Sequence, residues 1–258
     1  VDDDGGVRAL VGDQASHEIA ITSDGARVLY FAADHGHRGN VAVVPFSGPP
    51  SAAQILAAGA SDVRLVLSDD DARVFFVDAS DGLSSIALDG GAARSLAAGA
   101  VDVVAARGAL VVYASFADAQ TGLRSLSIVG TDGTNDVSLG VNALDVGFTG
   151  DGRCYTFLDD VTFDGKGHAH GRLRAFDSAT NAVQTLGSDV RKAQVGGARF
   201  LAYVDNTQHL SAGALGQTIA PVQISVDTFD ILGRDTAAPH LVYSIRAEEN
   251  AGVWLVDP

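Results

Sequence analysis

Two histidine pairs have a spacing that suggests chemistry. His35-Gly36-His37 and His168-Ala169-His170 each place two imidazoles two residues apart. In an extended segment such side chains point to the same side, and imidazole nitrogens are good ligands for Zn²⁺ or Cu²⁺. The pattern therefore predicts a metal site at His35, His37, His168 and His170, with exposed loop histidines as the alternative.

A second set of candidates is mostly acidic. Its members lie near the first strand of each unit of a repeat described below. They are His17, Asp62, Asp102, Asp145, Asp189 and Asp227, with Asn142 as a substitute for Asp145. Carboxylates converging at one mouth would bind a calcium ion or a basic group, so this set is the predicted ligand-binding site. The alternative is that these aspartates cap turns and remain solvated.

The sequence contains none of the common motifs for nucleophilic catalysis. It has no Gly-x-Ser-x-Gly and no His-Glu-x-x-His, and Gly165-Lys166-Gly167 lacks the strand-to-helix context of a phosphate loop. Cys154 is the single cysteine, so there is no internal disulfide. Its place in a strand pattern predicts a buried, unreactive thiol. The sequence names no catalytic residue.

A recurring turn sets the positions of these residues. Thr22-Ser23-Asp24-Gly25-Ala26-Arg27 precedes an apolar run, and Ser68-Asp69-Asp70-Asp71-Ala72-Arg73 and Thr149-Gly150-Asp151-Gly152-Arg153 repeat it. A tight turn before an apolar, β-branched run predicts a hairpin. Equivalent strand positions recur every 36 to 46 residues, at Val28, Val74, Leu110, Cys154, Phe200 and Leu241. This period in short strands is typical of propeller blades.

The repeat predicts an all-β, six-bladed β-propeller with four antiparallel strands per blade. Separate strands are predicted at residues 136–139 and 143–148, and again at 182–186 and 190–195. The sixth repeat supplies only three strands, at 228–232, 240–245 and 252–256. Residues 7–11 are predicted to complete that blade, which removes an exposed edge.

The repeat resembles the TolB-type six-bladed propeller family. The resemblance rests on Ser23-Asp24-Gly25-Ala26-Arg27-Val28 with its apolar run, and on residues 84–96 as the closing half of a repeat. It spans essentially the whole chain. It implies a propeller of the kind found in periplasmic TolB and at the front of prolyl-oligopeptidase-family enzymes. The aromatic and proline that usually flank the turn are absent here.

Composition limits the class of protein. The 258 residues are 47% hydrophobic with a mean hydropathy of +0.18, so one domain spanning residues 1–258 is predicted. Residues 1–6 are a predicted polar tail or linker. The absence of methionine predicts a processed or excised chain. A net charge of −15 disfavours nucleic acid and anionic membranes as partners.

These observations predict a monomeric, extracytoplasmic propeller that binds a protein or small ligand at an acidic channel mouth, without catalysis. The first alternative is a calcium-dependent hydrolase of the lactonase or phosphotriesterase type. The second is the propeller domain of a larger peptidase. No resident cofactor is predicted beyond a calcium or zinc ion.

Overall fold

The computed structural model describes residues 15–35, 37–47, 49–61, 64–215, 222–225, 228–234, 241–245 and 252–256. Within these ranges the chain forms β-strands and one short 3-10 helix, Pro50–Ala52. The predicted all-β class is therefore confirmed. The predicted closing strand at residues 7–11 lies outside the described residues, and no helix within them is long and apolar enough to cross a membrane.

The chain divides into two compact units. Unit one comprises Val1–Phe116 and Ser127–Val137, and unit two comprises Ala117–Leu126 and Ser138–Pro258.

Unit one contains two four-stranded antiparallel meanders, each in the strand order of the chain. A hairpin, β9–β10, follows them. The strands are β1 Ala15–Ile21, β2 Arg27–His35, β3 Arg38–Pro45, β4 Gln54–Ser61, β5 Val66–Leu67, β6 Arg73–Val77, β7 Gly82–Ala87, β8 Arg94–Ala98, β9 Asp102–Arg107, β10 Leu110–Ala117 and β11 Arg124–Gly130, the last of which begins in unit two. Both meanders match the predicted four-strand repeat.

The core of unit one lies on both faces of the β5–β8 sheet. Phe76 packs with Leu29 and Phe31 of the first sheet, whereas Phe75 packs with Val103 and Tyr113 of the β9–β10 hairpin. Neighbouring residues of a strand point to opposite faces, so adjacent phenylalanines serve two separate clusters. Each buried phenylalanine side chain contributes about 1.5–3 kcal/mol.

Unit two continues as an antiparallel meander and ends in a three-stranded sheet, β19–β21. The strands are β12 Val137–Phe148, which begins in unit one, β13 Cys154–Phe163, β14 Ala169–Asp177, β15 Ala182–Gly196, β16 Phe200–Asp205, β17 Leu210–Ala214, β18 Val222–Ser225, β19 Thr228–Arg234, β20 Leu241–Ile245 and β21 Gly252–Val256. The three strands predicted for the last repeat are thus present.

Two predicted strand breaks are wrong. β12 runs through residues 140–142, and β15 runs through residues 187–189. Asn142 and Asp189 adopt left-handed backbone conformations, with φ of 47° and 57°, and bend these strands without ending them. β15 pairs with β14 up to Val190 and with β16 from Val190 onward. One long strand therefore serves two hairpins.

The recurring turn has the same hydrogen bonds in each full copy. In the first copy the Thr22 hydroxyl donates to Asp24 at 2.6 Å and accepts from the Arg27 N–H at 3.0 Å. The Asp24 carboxylate also accepts the Ala26 N–H at 2.9 Å. The Thr22 hydroxyl is the main cause that lowers the pKa of Asp24. The Ser68 and Thr149 turns repeat this pattern.

The arginines that recur near these turns also have structural roles. Arg27 pairs with Asp89 at 2.7 Å, and Arg153 pairs with Asp177 through two bonds of 2.9 Å. Arg199 pairs with Asp151 of the Thr149 turn. These arginines therefore tie turns to nearby strands, as the repeat pattern suggested.

Candidate functional site

The candidate site lies along one edge of unit two and is built on two similar hairpins. In the β13–β14 hairpin the Asp164 carboxylate accepts the N–H groups of Lys166 and His168 at 2.7 and 2.9 Å. In the β16–β17 hairpin the Asp205 carboxylate accepts those of Thr207 and His209 at 2.8 and 3.0 Å. A short side chain that bonds the backbone two residues on stabilises a tight turn. Both hairpins therefore follow the spacing Asp-x-x-x-His.

Each imidazole at this edge has its Nδ1 atom near a carboxylate, and two of the three are within hydrogen-bond distance of it. His168 Nδ1 lies 3.0 Å from Asp164 Oδ2, and His170 Nδ1 lies 2.6 Å from Asp189 Oδ1. His209 Nδ1 lies 3.2 Å from the Thr207 hydroxyl and 3.6 Å from Asp205 Oδ2. All six side chains are partly exposed, so the pairs face solvent.

Strand pairing places the three His–Asp pairs on the same edge. Gly171 at the start of β14 pairs with Val190 of β15, and Val190 pairs with Asp205 at the end of β16. The Asn206 N–H donates to the Asp189 carbonyl oxygen at 2.8 Å and joins the bend of β15 to the β16–β17 hairpin. We call this row of residues 164–170, 189 and 205–209 the loop edge.

The hairpin carboxylates are held in their charged form. The hydrogen bond from the His168 N–H is the main cause that lowers the pKa of Asp164 to about 2, against a smaller opposing effect of burial. Burial raises the pKa of Asp205, but hydrogen bonds from Thr207 and His209 outweigh it, so this pKa lies below its usual value. The loop edge thus carries fixed negative charges beside its imidazoles at neutral pH.

An arginine cluster lies on β13 and β14, farther from the hairpin turn than His170. Asp159 is buried and accepts bonds from Arg172 at 3.1 and 3.2 Å and from Arg174 at 2.8 Å. Arg172 also pairs with the exposed Asp160. His170, Arg172 and Arg174 alternate along β14, and the intervening Gly171 and Leu173 are buried. His170, Arg172 and Arg174 therefore share one side of the strand.

Two of the acidic candidates, Asp145 and Asp189, have different partners. Asp145 is exposed and accepts the Tyr155 hydroxyl at 2.7 Å, and Asp189 belongs to the loop edge. Asp102 begins β9 in unit one. His17 lies in β1, where its side chain is outside the described residues, as are Asp62 and Asp227 altogether. Convergence of the whole set stays a prediction.

The histidine candidates do not form one described cluster. His168 and His170 both belong to the loop edge but contact different aspartates. His37 is exposed in the β2–β3 turn, and His35 ends β2 with its side chain outside the described part. Among the described residues, no three His, Cys, Asp or Glu side chains are grouped to hold a metal ion. The metal prediction remains untested.

Sequence reasoning missed several residues of the site. His209, Asp205, Asp164 and the buried Asp159 were not singled out. The first three follow from one signal, because Asp164 and His168 have the same spacing as Asp205 and His209. Asp159 has no such signal, since its burial depends on strand pairing.

Unit one contains a cleft, and unit two contains the single cysteine. The cleft of unit one has a volume of about 510 Å³ with Val43, Pro45 and Leu88 among its walls, and the Arg27–Asp89 pair also lines it.

Cys154 is buried as predicted. Burial, followed by the charges of Asp177 and Asp151, raises the pKa of the Cys154 thiol to about 11. This thiol is not prepared to act as a nucleophile.

No protein-family model matches the chain, and no curated protein matches its sequence. Among solved structures, the chain resembles the β-propeller domain of the trilobed protease from Pyrococcus furiosus, with a TM-score of 0.51, 8% identity, and coverage of 95% of this chain and 82% of that one. It also resembles an oligogalacturonate lyase in complex with manganese, with a TM-score of 0.50, 10% identity, and coverage of 95% and 77%. TolB from Acinetobacter baumannii has a TM-score of 0.39 at 12% identity, with coverage of 90% and 61%. At these identities the likeness shows the fold alone, and that fold is of the β-propeller type.

Proposed function

We propose that this chain is a six-bladed propeller that acts as a non-catalytic binding or scaffold module outside the cytoplasm. We further propose that the loop edge of unit two is its recognition surface. The observation that carries the proposal is the row of three His–Asp pairs along that edge. Each pair is held by its own hairpin or bend and faces solvent.

This arrangement suits recognition of a polar partner. Hydrogen bonds within the hairpins already fix Asp164 and Asp205, so less side-chain freedom is lost when a ligand binds. The row presents carboxylates, imidazoles and the exposed Lys166 to the same ligand. A polar protein surface or a small polar ligand fits this mixture. Nucleic acid does not fit, because a net charge of −15 repels phosphates.

The binding role is tested by a charge reversal at the hairpin tip. Lys166 is exposed between two glycines, so Lys166→Glu changes the loop edge with little effect on packing. Asp89→Lys at an exposed turn of unit one is the matched control. Immobilised protein is exposed to cell-envelope extracts and to a panel of small ligands in the presence of EDTA. We expect to retain a ligand whose affinity falls at least about tenfold with Lys166→Glu and does not fall with Asp89→Lys. Equal effects of both variants would show that the loop edge is not the recognition surface.

The hydrolase alternative is tested directly. Lactones and phosphotriesters are incubated with the protein and calcium, and product formation is followed with and without chelator. We expect background rates in both cases. Turnover that EDTA abolishes would overturn the non-catalytic assignment.

The six-bladed closure has its own test. If residues 7–11 complete the sheet of β19–β21, deletion of residues 1–12 exposes a sheet edge and removes buried apolar surface. We expect the loss of several kcal/mol, at about 25 cal/mol per Å² of buried apolar surface, and a lower melting temperature. An unchanged melting temperature would contradict closure.

The extracytoplasmic location rests on the TolB-type resemblance of the repeat, and fractionation of the producing cell tests it.

A further inference from the structure

The His168-Ala169-His170 segment has features of a metal-binding pair that go beyond a general recognition surface. Ala169 pairs with Phe163 and His170 pairs with Thr162, so the segment enters β14 as extended chain. Side chains two residues apart in such a segment point to the same side. Both imidazoles are partly exposed, so an ion from solvent can reach them.

The carboxylate partners determine which ring nitrogen is available. Nδ1 of His168 faces Asp164 and Nδ1 of His170 faces Asp189, at 3.0 and 2.6 Å. A neutral imidazole that donates from Nδ1 keeps its lone pair on Nε2, and this tautomer is assigned from the hydrogen bond. Metal-binding histidines commonly have this arrangement, in which a carboxylate orients the ring and raises its basicity.

The Nε2 atoms are weakly engaged. His170 Nε2 has a contact of 3.3 Å with the Thr162 hydroxyl, which can rotate away. Within the described part of the chain, no hydrogen-bond partner is found for Nε2 of His168. Two lone pairs are thus available, one on the residue just before β14 and one on its second residue, beside two carboxylates and in a chain of net charge −15.

We propose that Nε2 of His168 and Nε2 of His170 bind one divalent transition-metal ion such as Zn²⁺, with Asp164 and Asp189 as the carboxylates that orient the rings. Zn–N bonds are about 2.0–2.1 Å long, and water completes the tetrahedral coordination. Because the described residues offer no third protein ligand, the ion is exchangeable. The site builds on the proposed binding role of the loop edge and gives that edge a ligand of defined chemistry.

The chain contains a matched control. His209 occupies the same hairpin position as His168, with its Nδ1 atom 3.2 Å from the Thr207 hydroxyl and 3.6 Å from the Asp205 carboxylate. Two residues farther along, however, is Ser211 instead of a second histidine. His209→Gln therefore removes an oriented imidazole without removing a chelating pair.

The test is a titration of the purified chain with ZnCl₂ in competition with a chromophoric chelator. We expect one exchangeable equivalent that the His168→Gln/His170→Gln variant loses and that His209→Gln retains. Asp189→Asn should weaken this equivalent about 10–100-fold, because the neutral amide can still accept the hydrogen bond but no longer raises the basicity of the ring as a carboxylate does. Nitrogen NMR of the wild type should show the Zn²⁺-dependent shift at Nε2 of His168 and His170, a readout that does not depend on the folding of any variant.

Equal Zn²⁺ affinity in the wild type and the double variant would overturn the site, as would an equal loss with His209→Gln or shifts confined to Nδ1. The titration contains no partner, whereas the partner experiment above contains EDTA. Failure of the metal site and failure of the recognition surface are therefore separate outcomes.

Discussion

The backbone N–H of Ser23 donates a hydrogen bond of 2.6 Å to Oδ2 of Asp71, although 48 residues separate them. The bond joins two copies of the recurring turn within unit one. Asp71 has a φ of 52°, at the position that glycine occupies in the other full copies, Gly25 and Gly152. This aspartate therefore accepts an unfavourable backbone conformation and supplies an acceptor for the neighbouring turn.

Asp71→Ala should lower the free energy of unfolding by about 1–3 kcal/mol, since alanine tolerates the left-handed region poorly and cannot accept the bond. Asp71→Asn should cost much less, because asparagine visits that region and its amide oxygen can accept from Ser23. Urea denaturation of both variants measures the difference. Equal losses of unfolding free energy for the alanine and asparagine variants would contradict the roles assigned to the hydrogen bond and to the left-handed backbone.

Asp159 should be the most sensitive carboxylate near the candidate site. It is buried between Arg172 and Arg174, so Asp159→Asn leaves two guanidinium groups without their shared charge. We expect a loss of about 2–4 kcal/mol, somewhat below that of a fully buried pair because Arg172 is half exposed. Asp160→Asn is the matched control: it pairs with the same Arg172 but is exposed, so it should cost less than about 1 kcal/mol. Chemical denaturation that ranks the two equally would contradict this assignment.

Tyr113 should make unit one sensitive to alkali. Burial, followed by the hydrogen bond that its hydroxyl donates to Asp136, raises the pKa of Tyr113 to about 12. An unfolded tyrosine loses its proton near pH 10, so between about pH 10 and 12 the unfolded state binds fewer protons than the folded state. This contribution to stability is complete below pH 10 and is lost as the pH rises to about 12. Unfolding free energies from pH 8 to 12 should show a steeper decline for wild type than for Tyr113→Phe, and parallel curves would refute the linkage.

Cys154 should be unreactive in the native protein. Its thiol is 2% exposed and has a pKa of about 11, so almost no accessible thiolate exists at neutral pH. Labelling by a thiol reagent should therefore follow the rate of unfolding and become fast in urea. Rapid labelling of the native chain at pH 7 would contradict both its burial and its raised pKa.

Local patterns allowed much of the fold to be predicted from the sequence. The turn at Thr22 was recognised because a hydroxyl, an aspartate and a glycine each have a local role there, and the same logic holds at Thr149. The two predicted strand breaks were wrong because the local pattern was overridden by strand pairing. Asn142 and Asp189 look like turn residues, but strand pairing keeps each of them inside one continuous strand.

The candidate site was only partly predictable. His168, His170 and Asp189 were identified from spacing and position, but their pairing depends on the register between β14 and β15. The buried Asp159 depends on arginines two strand positions apart on β14, which meet it only after β13 and β14 pair. Local patterns specify turns, whereas contacts across strands require the register.

The continuity of β15 has a consequence for local opening of unit two. The strand leaves β14 and joins β16 at Val190, next to the bend at Asp189. Both hairpins include β15, so opening of either hairpin also disturbs the strand pairing of the other. Hydrogen exchange in β14, β15 and β16 should therefore proceed through a single cooperative opening and give one common protection free energy on both sides of the bend.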